Sequence, residues 1–452
     1  RPDWCTLLFE YPAPRLIEIR DTWLSSPAMG NTQSPSVDSR FAPASRAFSP
    51  KELEDLKSLF ASLASQSHAD GGYVSPSVFQ SYFGMRSPLG ERMFVLVTQK
   101  RNDQKLTLED LVIAKGTYEK GTREEIEEFI YQLLDVTGDG IVRRSDIKDV
   151  LRAIYGGLFL SGNPEHKPEH QEDMMTIFLD AAPFSGHDEG RDENSMSFED
   201  FRQWCSLVPS IRKYLGSLLM APDTGRPGCH VPHLVHAENI NSSAWILREQ
   251  HGWHIEGALP LRQMGQWKLL YQSTSNGLSF NTFMGMVGGH EGGTVLIIHD
   301  TEGYIFGGYA SKPWEKHGDF YGDMKSFLFQ LYPRASIYRP TGANRNLQWC
   351  AVNFGSDSIP NGLGFGGRVG HFGLFLSAGF DRGHSFECTT FGSPCLSQGN
   401  HFGPAAIECW GIVDGGGQWE EGGRGDLKGT VLERFKEDRH MLNMVGLANS
   451  SD

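Results

Sequence analysis

The chain has 452 residues, of which 39% are hydrophobic and 21% charged, and its formal net charge is −14. This length allows two or three domains with their own cores. The negative charge argues against a general nucleic-acid-binding protein, because contacts with phosphates need clustered Lys and Arg. No apolar run approaches the ~20 residues that cross a bilayer. The seven cysteines form no CxxC pair, which favours free thiols in a reducing compartment. We therefore expect a cytoplasmic protein.

Residues 1–47 are expected to form a flexible or artefactual N-terminal arm. Met29 is the first methionine, and we expect it to be the natural start of the protein. The sequence from Met29 to Ser34 then fits the N-myristoylation pattern, although such a start also arises by chance. The pattern predicts a lipid on Gly30. One acyl chain binds membranes only marginally, so a second contact would be needed for membrane attachment. We expect at most a peripheral location on endomembranes such as the lysosome or vacuole.

Residues 48–208 carry helical periods and acidic loops. Ser49, Pro50 and Glu52 form a capping box with Pro at the first helical position, which predicts a helix start. A weak repeat follows, in which an apolar residue after a polar loop leads into an amphipathic stretch. Its copies begin at Val74, Leu106, Val142 and Met196. We predict an all-α EF-hand region of four helix–loop–helix units, paired two and two.

The third loop, residues 135–146, has the spacing of a calcium-binding EF-hand loop. A hard cation needs oxygens at loop positions 1, 3, 5, 7 and 12, and glycine at position 6 provides the sharp turn. Gly140 occupies position 6, and amphipathic helices are predicted on both sides. The predicted metal ligands are Asp135, Thr137, Asp139, the backbone carbonyl of Ile141, and Asp146.

Two of these ligands depart from the usual pattern. Thr137 offers a neutral oxygen, and Asp146 is one methylene shorter than the usual bidentate Glu, so a modest Ca²⁺ site or a Mg²⁺-occupied site is expected. The alternative to an ion-binding loop is a solvated acidic turn.

The other three loops are expected to bind no ion. Residues 67–78 lack carboxylates at most ligand positions, and residues 99–110 have Gln and Arg where charge is needed. Residues 189–200 are acidic, but Arg191 would lie beside the ion and Asn194 replaces the turn glycine.

Residues 209–240 are interpreted as a linker. They contain Cys229, His230, His233 and His236, whose spacing resembles a zinc site. Pro232 interrupts any helix that would align these histidines, so exposed linker histidines are the favoured interpretation.

Residues 241–413 are interpreted as a second domain. From about residue 267 onward they are Gly-rich and aromatic, with short apolar runs between turn signals, which predicts strands. Residues 294–299 and 304–309 flank a turn and predict a hairpin. The GxGxxG at Gly362, Gly364 and Gly367 is followed by another strand-like run, so a structural loop is favoured over a nucleotide site.

Catalytic alternatives in this part of the chain are weak. His384 stands beside Ser385, but no GxSxG elbow is present. Redox-sensitive thiols are a second alternative, and their candidates are Cys350, Cys388, Cys395 and Cys409. Cysteines in apolar sequence are more often small core residues.

Residues 414–452 are expected to form a Gly-rich hinge and a C-terminal amphipathic helix. Its apolar face consists of Val431, Leu432, Phe435, Leu442 and Val445. Such a helix either folds back onto its own domains or inserts into a groove of a partner.

The second half of the chain resembles the TLDc family. The matching motifs, in the family's order, are Trp267–Ser273, Gly277–Phe283, Thr294–Asp300, Tyr304–Ser311, Cys388–Phe391 and Ile407–Gly411. Residues 359–367 and the EF-hand region resemble most the calcium-binding members of plants and the lysosomal, mTOR-associated member of animals. The resemblance implies a β-sandwich with a few helices, a role in oxidative-stress resistance, and binding to the cytosolic sector of the V-ATPase. It supplies no catalytic residues.

The sequence as a whole predicts an α+β multidomain protein, with an EF-hand region followed by a TLDc β-sandwich. We expect a non-catalytic, calcium-binding regulatory or adaptor protein in oxidative-stress or growth signalling. A redox-active or hydrolytic enzyme built on the sandwich is the alternative.

Overall fold

The computed structural model describes residues 38–67, 72–99, 101, 103–159, 175–185, 195–222, 225–235, 245–259, 265–356 and 358–413. Gly30, His236, the Gly-rich hinge and the C-terminal helix predicted above lie outside these residues. Within them, no helix combines the length and the apolar character needed to cross a membrane.

The first half of the described chain is helical. Its helices are α1 (Phe41–Arg46), α2 (Pro50–Ser67), α3 (Pro76–Phe83), α4 (Leu89–Val97), α5 (Leu108–Lys120), α6 (Arg123–Leu134), α7 (Arg144–Leu158), α8 (Phe198–Leu207) and α9 (Pro209–Leu215). Residues 175–179 are also helical. The predicted capping box at the start of α2 is confirmed, because the Ser49 amide donates to Glu52 Oε2 (2.7 Å) and the Glu52 amide donates to Ser49 Oγ (3.2 Å).

The four predicted loops meet in two pairs through the residue at position 8 of each. Val74 of the first loop exchanges two backbone hydrogen bonds with Leu106 of the second. Strands β1 (Val142–Arg143) and β2 (Ser195–Met196) pair antiparallel, which places Val142 of the third loop opposite Met196 of the fourth. Each apolar residue at position 8 is buried in the helical core, so both loop pairs pack against that core.

The second half of the chain is built from strands and a few helices. The strands are β3 (His233–Val235), β4 (Gln266–Gln272), β5 (Thr294–Asp300), β6 (Ile305–Ala310), β7 (Phe327–Tyr332), β8 (Ser336–Tyr338), β9 (Gln348–Ala351), β10 (Gly362–Phe365), β11 (Leu374–Ser377), β12 (Gly383–His384), β13 (His401–Phe402) and β14 (Pro404–Val413). The helices are α10 (Glu249–Glu256), α11 (Ser273–Asn276) and α12 (Phe280–Val287).

These strands form a β-sandwich. The order in the larger sheet is β3-β4-β14-β5-β6-β7-β8, and in the smaller sheet it is β13-β12-β11-β10-β9. The predicted hairpin is confirmed as β5 and β6. Side chains alternate between the two faces of a strand, so Leu296 and Ile298 of β5 join Leu363 and Phe365 of β10 in the core between the sheets. The α+β architecture predicted from the sequence is confirmed.

The other face of the larger sheet is covered by α10. Val295 and Ile297 of β5 pack with Ile255 of this helix in a second core. Glu408, fully buried on β14, accepts hydrogen bonds from the amides of Ile246 (2.8 Å) and Leu247 (3.2 Å). This carboxylate fixes the segment that leads into α10.

Helix α10 also joins the sheet to the helical half. Trp253 belongs to the core of the helical half, lies 5.8 Å from Phe178 by ring centroids, and donates from its indole nitrogen to the Gly228 carbonyl (2.7 Å). The Ala335 amide, just before β8, donates to the Ile177 carbonyl (2.9 Å). The two halves therefore share buried surface instead of being joined by a chain segment alone.

Two segments differ from the sequence interpretation. In the segment interpreted as a linker, Ile211 and Leu215 of α9 and the following Leu218 and Leu219 are buried in the helical core. In the N-terminal arm, residues 41–46 form α1, which packs on α5. Helices α1 and α9 are short, and their sequences contain Pro and Ser. Tertiary contacts with neighbouring helices therefore stabilise them.

Candidate metal-binding loop

The third loop is held between two well-capped helices. Thr122 and Glu125 exchange hydrogen bonds at the start of α6, as the sequence predicts. Helix α6 ends at Leu134, and Asp135 follows directly as its C-cap. The loop then leads into β1 and α7, where the Arg143 amide donates to Asp146 Oδ2 (2.8 Å). Asp135 and Asp146 thus occupy fixed positions at the two ends of the loop.

Asp135 organises the first turn of the loop. Its Oδ1 accepts from the Gly138 amide (2.8 Å) and from Thr137 Oγ1 (3.2 Å), and its Oδ2 accepts from the Gly140 amide (2.9 Å). Both glycines have positive φ angles, +78° at Gly138 and +88° at Gly140. A side chain is strained in that backbone region, so the sequence requirement for Gly at position 6 is met.

The other two predicted carboxylates lie in different surroundings. Asp139 is half exposed, and its Oδ2 accepts from Arg143 Nη1 (2.6 Å) while its Oδ1 accepts from the Ile141 amide (2.9 Å). The Arg143 guanidinium lowers the pKa of Asp139. Asp146 is buried, and loss of solvent raises the pKa of its carboxyl. Burial disfavours the charged form of a carboxyl group, and a nearby cation stabilises that form.

Arg92 of α4 is a residue of this site that the sequence interpretation missed. Its Nη2 lies 3.1 Å from Asp135 Oδ2, and its Nε donates to the Gln132 carbonyl (3.0 Å). Both charged side chains are buried, with 8% and 6% exposure. No spacing rule links the two residues, because they are brought together only by the packing of α4 on α6.

The residue types of the third loop fit a hard, oxygen-preferring cation. Protein donors already contact both oxygens of Asp135 and of Asp139, and one oxygen of Asp146. Within the described ranges no three His, Cys, Asp or Glu side chains are gathered as a metal-holding group. Ion binding would therefore require Asp139 to turn away from Arg143 and Asp135 to share its charge with Arg92.

The described candidate zinc residues lie in separate surroundings. His230 Nδ1 lies 2.7 Å from Glu256 Oε1, and this contact raises the pKa of His230. Cys229 is half-buried, and loss of solvent raises the pKa of its thiol. His233 is exposed on β3. The described members of this set thus do not form a common ligand sphere.

The surroundings of Ser385, Cys350 and Cys409 do not favour the catalytic roles considered for them. Ser385 is fully buried, and its Oγ donates to the Gly373 carbonyl (2.6 Å). Burial raises the pKa of Cys350 to about 12 and also raises that of the fully buried Cys409, and a thiol must ionise to act as a nucleophile or to be oxidised readily. Gly362 and Gly364 lie within strand β10, with no helix at Gly367 to receive a phosphate.

The sandwich lies within a match to a known domain: residues 240–413 match the TLDc domain, so the chain contains a TLDc domain. The similarity of the chain to known proteins extends further. The mTOR-associated protein MEAK7 of Gallus gallus is 26% identical over 94% of this chain and 97% of its own length. The MEAK7 protein of Danio rerio is 28% identical over 75% of this chain and 77% of its own length. Oxidation resistance protein 1 of Xenopus laevis is 31% identical, over 38% of this chain and 19% of its own.

Proposed function

We propose that this chain is a non-catalytic regulatory protein whose TLDc domain binds a protein complex and whose third loop binds Ca²⁺, with Mg²⁺ as a competitor. The similarity to MEAK7 over nearly the whole chain supports the regulatory role, and the spacing of oxygen-bearing residues in the third loop supports the ion site. MEAK7 is named as an mTOR-associated protein, which supports a protein partner for this chain. Similarity to oxidation resistance protein 1 adds a link to oxidative stress.

The ion would be held at the third loop. Its ligands would be Asp135, Thr137, Asp139, the Ile141 carbonyl and Asp146. The buried Asp135 and Asp146 supply charge at the two ends of the loop, and the pairing of Val142 with Met196 would carry a change in the third loop to the fourth. Helix α7, which begins within the loop, would move with it.

Calorimetric titration of the full chain with CaCl₂ tests ion binding. One site is expected, and Asp135→Ala should abolish it because the mutation removes the ligand at position 1. Asp149→Ala is the matched control, since Asp149 is a partly exposed carboxylate on α7 that pairs only with Arg152 among the described contacts. Undiminished binding by Asp135→Ala would rule out the third loop as the site.

The cytosolic sector of the V-ATPase is the partner to test first, because the TLDc resemblance implies it. Purified full chain on a resin should recover V-ATPase subunits from cell extract, and more of them with Ca²⁺ than with a chelator. The Asp135→Ala chain should recover the same amount in both conditions. Recovery that is insensitive to Ca²⁺ in both proteins would separate docking from calcium control, and no recovery would reject this partner.

Membrane contact through Gly30 is a further part of the proposal. A chain expressed from Met29 in eukaryotic cells should lose Met29 and gain the mass of a myristoyl group. Gly30→Ala is the control, because it removes the acceptor residue. Intact-mass measurement showing an unmodified Gly30 would refute acylation and leave the TLDc and loop proposals unaffected.

A further inference from the structure

The described part of the second loop, residues 99, 101 and 103–110, keeps backbone features of an ion-binding loop although its sequence lacks the usual ligands. Gln104 at position 6 has a φ of +53°, in the left-handed region where the third loop places Gly140. At position 12, Asp110 accepts from the Thr107 amide (2.9 Å), as Asp146 does from the Arg143 amide. Leu106 at position 8 pairs with the first loop. At positions 6, 8 and 12 the second loop therefore keeps the arrangement of the third loop.

A guanidinium occupies the centre of this loop. Arg101, at position 3, donates through Nη1 to Asp110 Oδ1 (2.8 Å) and through Nη2 to Asp110 Oδ2 (2.5 Å). Its Nη2 also donates to the Lys105 carbonyl (3.0 Å), and its Nε lies 3.6 Å from Asp103 Oδ2. Gln99 at position 1 donates to the same Asp110 Oδ1 (3.3 Å).

These contacts fall on the groups that would ligate a metal. Positions 5, 7 and 12 of an ion-binding loop provide a side-chain oxygen, a backbone carbonyl and a bidentate carboxylate. Here they are Asp103, the Lys105 carbonyl and Asp110, and all three face Arg101. The Asp110 side chain is 2% exposed, so its charge needs a partner inside the loop.

We propose that the Arg101 guanidinium is the resident cation of the second loop, standing where a metal ion binds in other loops of this kind and closing the loop without metal. An arginine side chain stays charged at any physiological pH and matches a carboxylate with two parallel hydrogen bonds. Hydrogen bonding to Asp110 raises the pKa of Arg101 further. The first loop pair would then keep its form at any Ca²⁺ concentration, and only the second pair would respond to the ion.

Substitution of Arg101 by a metal-ligating residue tests the proposal. All variants are made in the full chain with Asp135→Ala, so that the third loop contributes no ion binding to the comparison. Arg101→Asp removes the guanidinium and places a carboxylate at position 3. Tb³⁺ luminescence and Ca²⁺ calorimetry should then show one new site, at least about tenfold tighter than any binding by the parent. Lys105→Asp is the matched control, because it makes the same charge change at an exposed side chain of the same loop and keeps Arg101.

The outcomes are distinct. A new site in Arg101→Asp and not in Lys105→Asp supports the proposal. No new site in Arg101→Asp, or equal binding by both variants, overturns it. If Arg101→Asp does not fold, Arg101→Met in the same background decides: a melting temperature that falls in chelator and partly recovers with millimolar Ca²⁺ supports a resident cation, and an unchanged melting temperature overturns it. Neither result depends on whether Asp135 binds an ion.

Discussion

Acidification should loosen the junction between the helical half and the sheet, because helix α10 carries two buried histidines there. His251 is 5% exposed and His254 is fully buried, with its ring 5.4 Å from that of Phe178. Burial lowers the pKa of His251 to about 4 and that of His254 to about 3. The nearby Arg248 adds to the shift at His251, and His251 adds to the shift at His254.

The sign and size of the effect follow from proton linkage. The folded protein keeps both imidazoles neutral, whereas the unfolded chain takes up protons below a pKa near ~6.5. Full stability is therefore present above that pH and is lost as the pH falls toward 4. Between pH 7 and pH 5 each histidine should lower the free energy of unfolding by about 2 kcal/mol, or about 4 kcal/mol for the pair.

Urea unfolding at pH 7 and pH 5 measures this loss. The wild-type chain should lose about 4 kcal/mol more than a His251→Gln/His254→Gln chain over the same interval, because glutamine does not titrate. His233→Gln is the control, since His233 is exposed on β3. An equal pH dependence in the wild type and the double variant would refute the assignment of acid lability to α10.

Four further predictions concern single side chains. Arg92→Met should tighten Ca²⁺ binding about tenfold by calorimetry, because a +2 and a +1 charge about 5 Å apart repel by roughly 1–2 kcal/mol even in a high dielectric. Asp146→Glu should also tighten Ca²⁺ binding, because the longer side chain reaches the ion with both oxygens. Glu408→Gln should lower the free energy of unfolding in urea by about 1–3 kcal/mol, through the hydrogen bonds to the segment before α10. Trp253→Ala should lower it by about 3–5 kcal/mol, and unchanged unfolding midpoints would contradict the last two predictions.

Local features of the fold could be predicted from the sequence. The capping boxes at Ser49 and Thr122, the β5–β6 hairpin and the apolar position at Val142 each depend on residues only a few positions apart. Such short-range patterns are set by backbone hydrogen bonding and side-chain period. The TLDc architecture was predicted from a resemblance carried by motifs spread along the second half.

Features that depend on tertiary packing could not be predicted in this way. The contact between Arg92 and Asp135 joins residues from separate helices, and the burial of α9 follows from its neighbours and not from its own composition. The role of Arg101 is open to sequence reasoning, because a cation at position 3 has the carboxylates of Asp103 and Asp110 in the same loop to pair with. The missing ligands of the second loop predict a loss of ion binding. The same loop also contains Arg101, a cation that substitutes for the ion.

The shared buried surface around α10 has a consequence for work with fragments. A polypeptide cut at the TLDc boundary, residue 240, keeps Trp253 but loses Phe178 and the other aromatic partner, Phe159, that covers it. Such a fragment presents a newly bared indole and a backbone amide at Ala335 that has lost its acceptor. Proteins captured by the isolated domain would therefore include some that bind the surface exposed by the truncation. Binding partners assigned with the excised domain need to be checked against the intact chain.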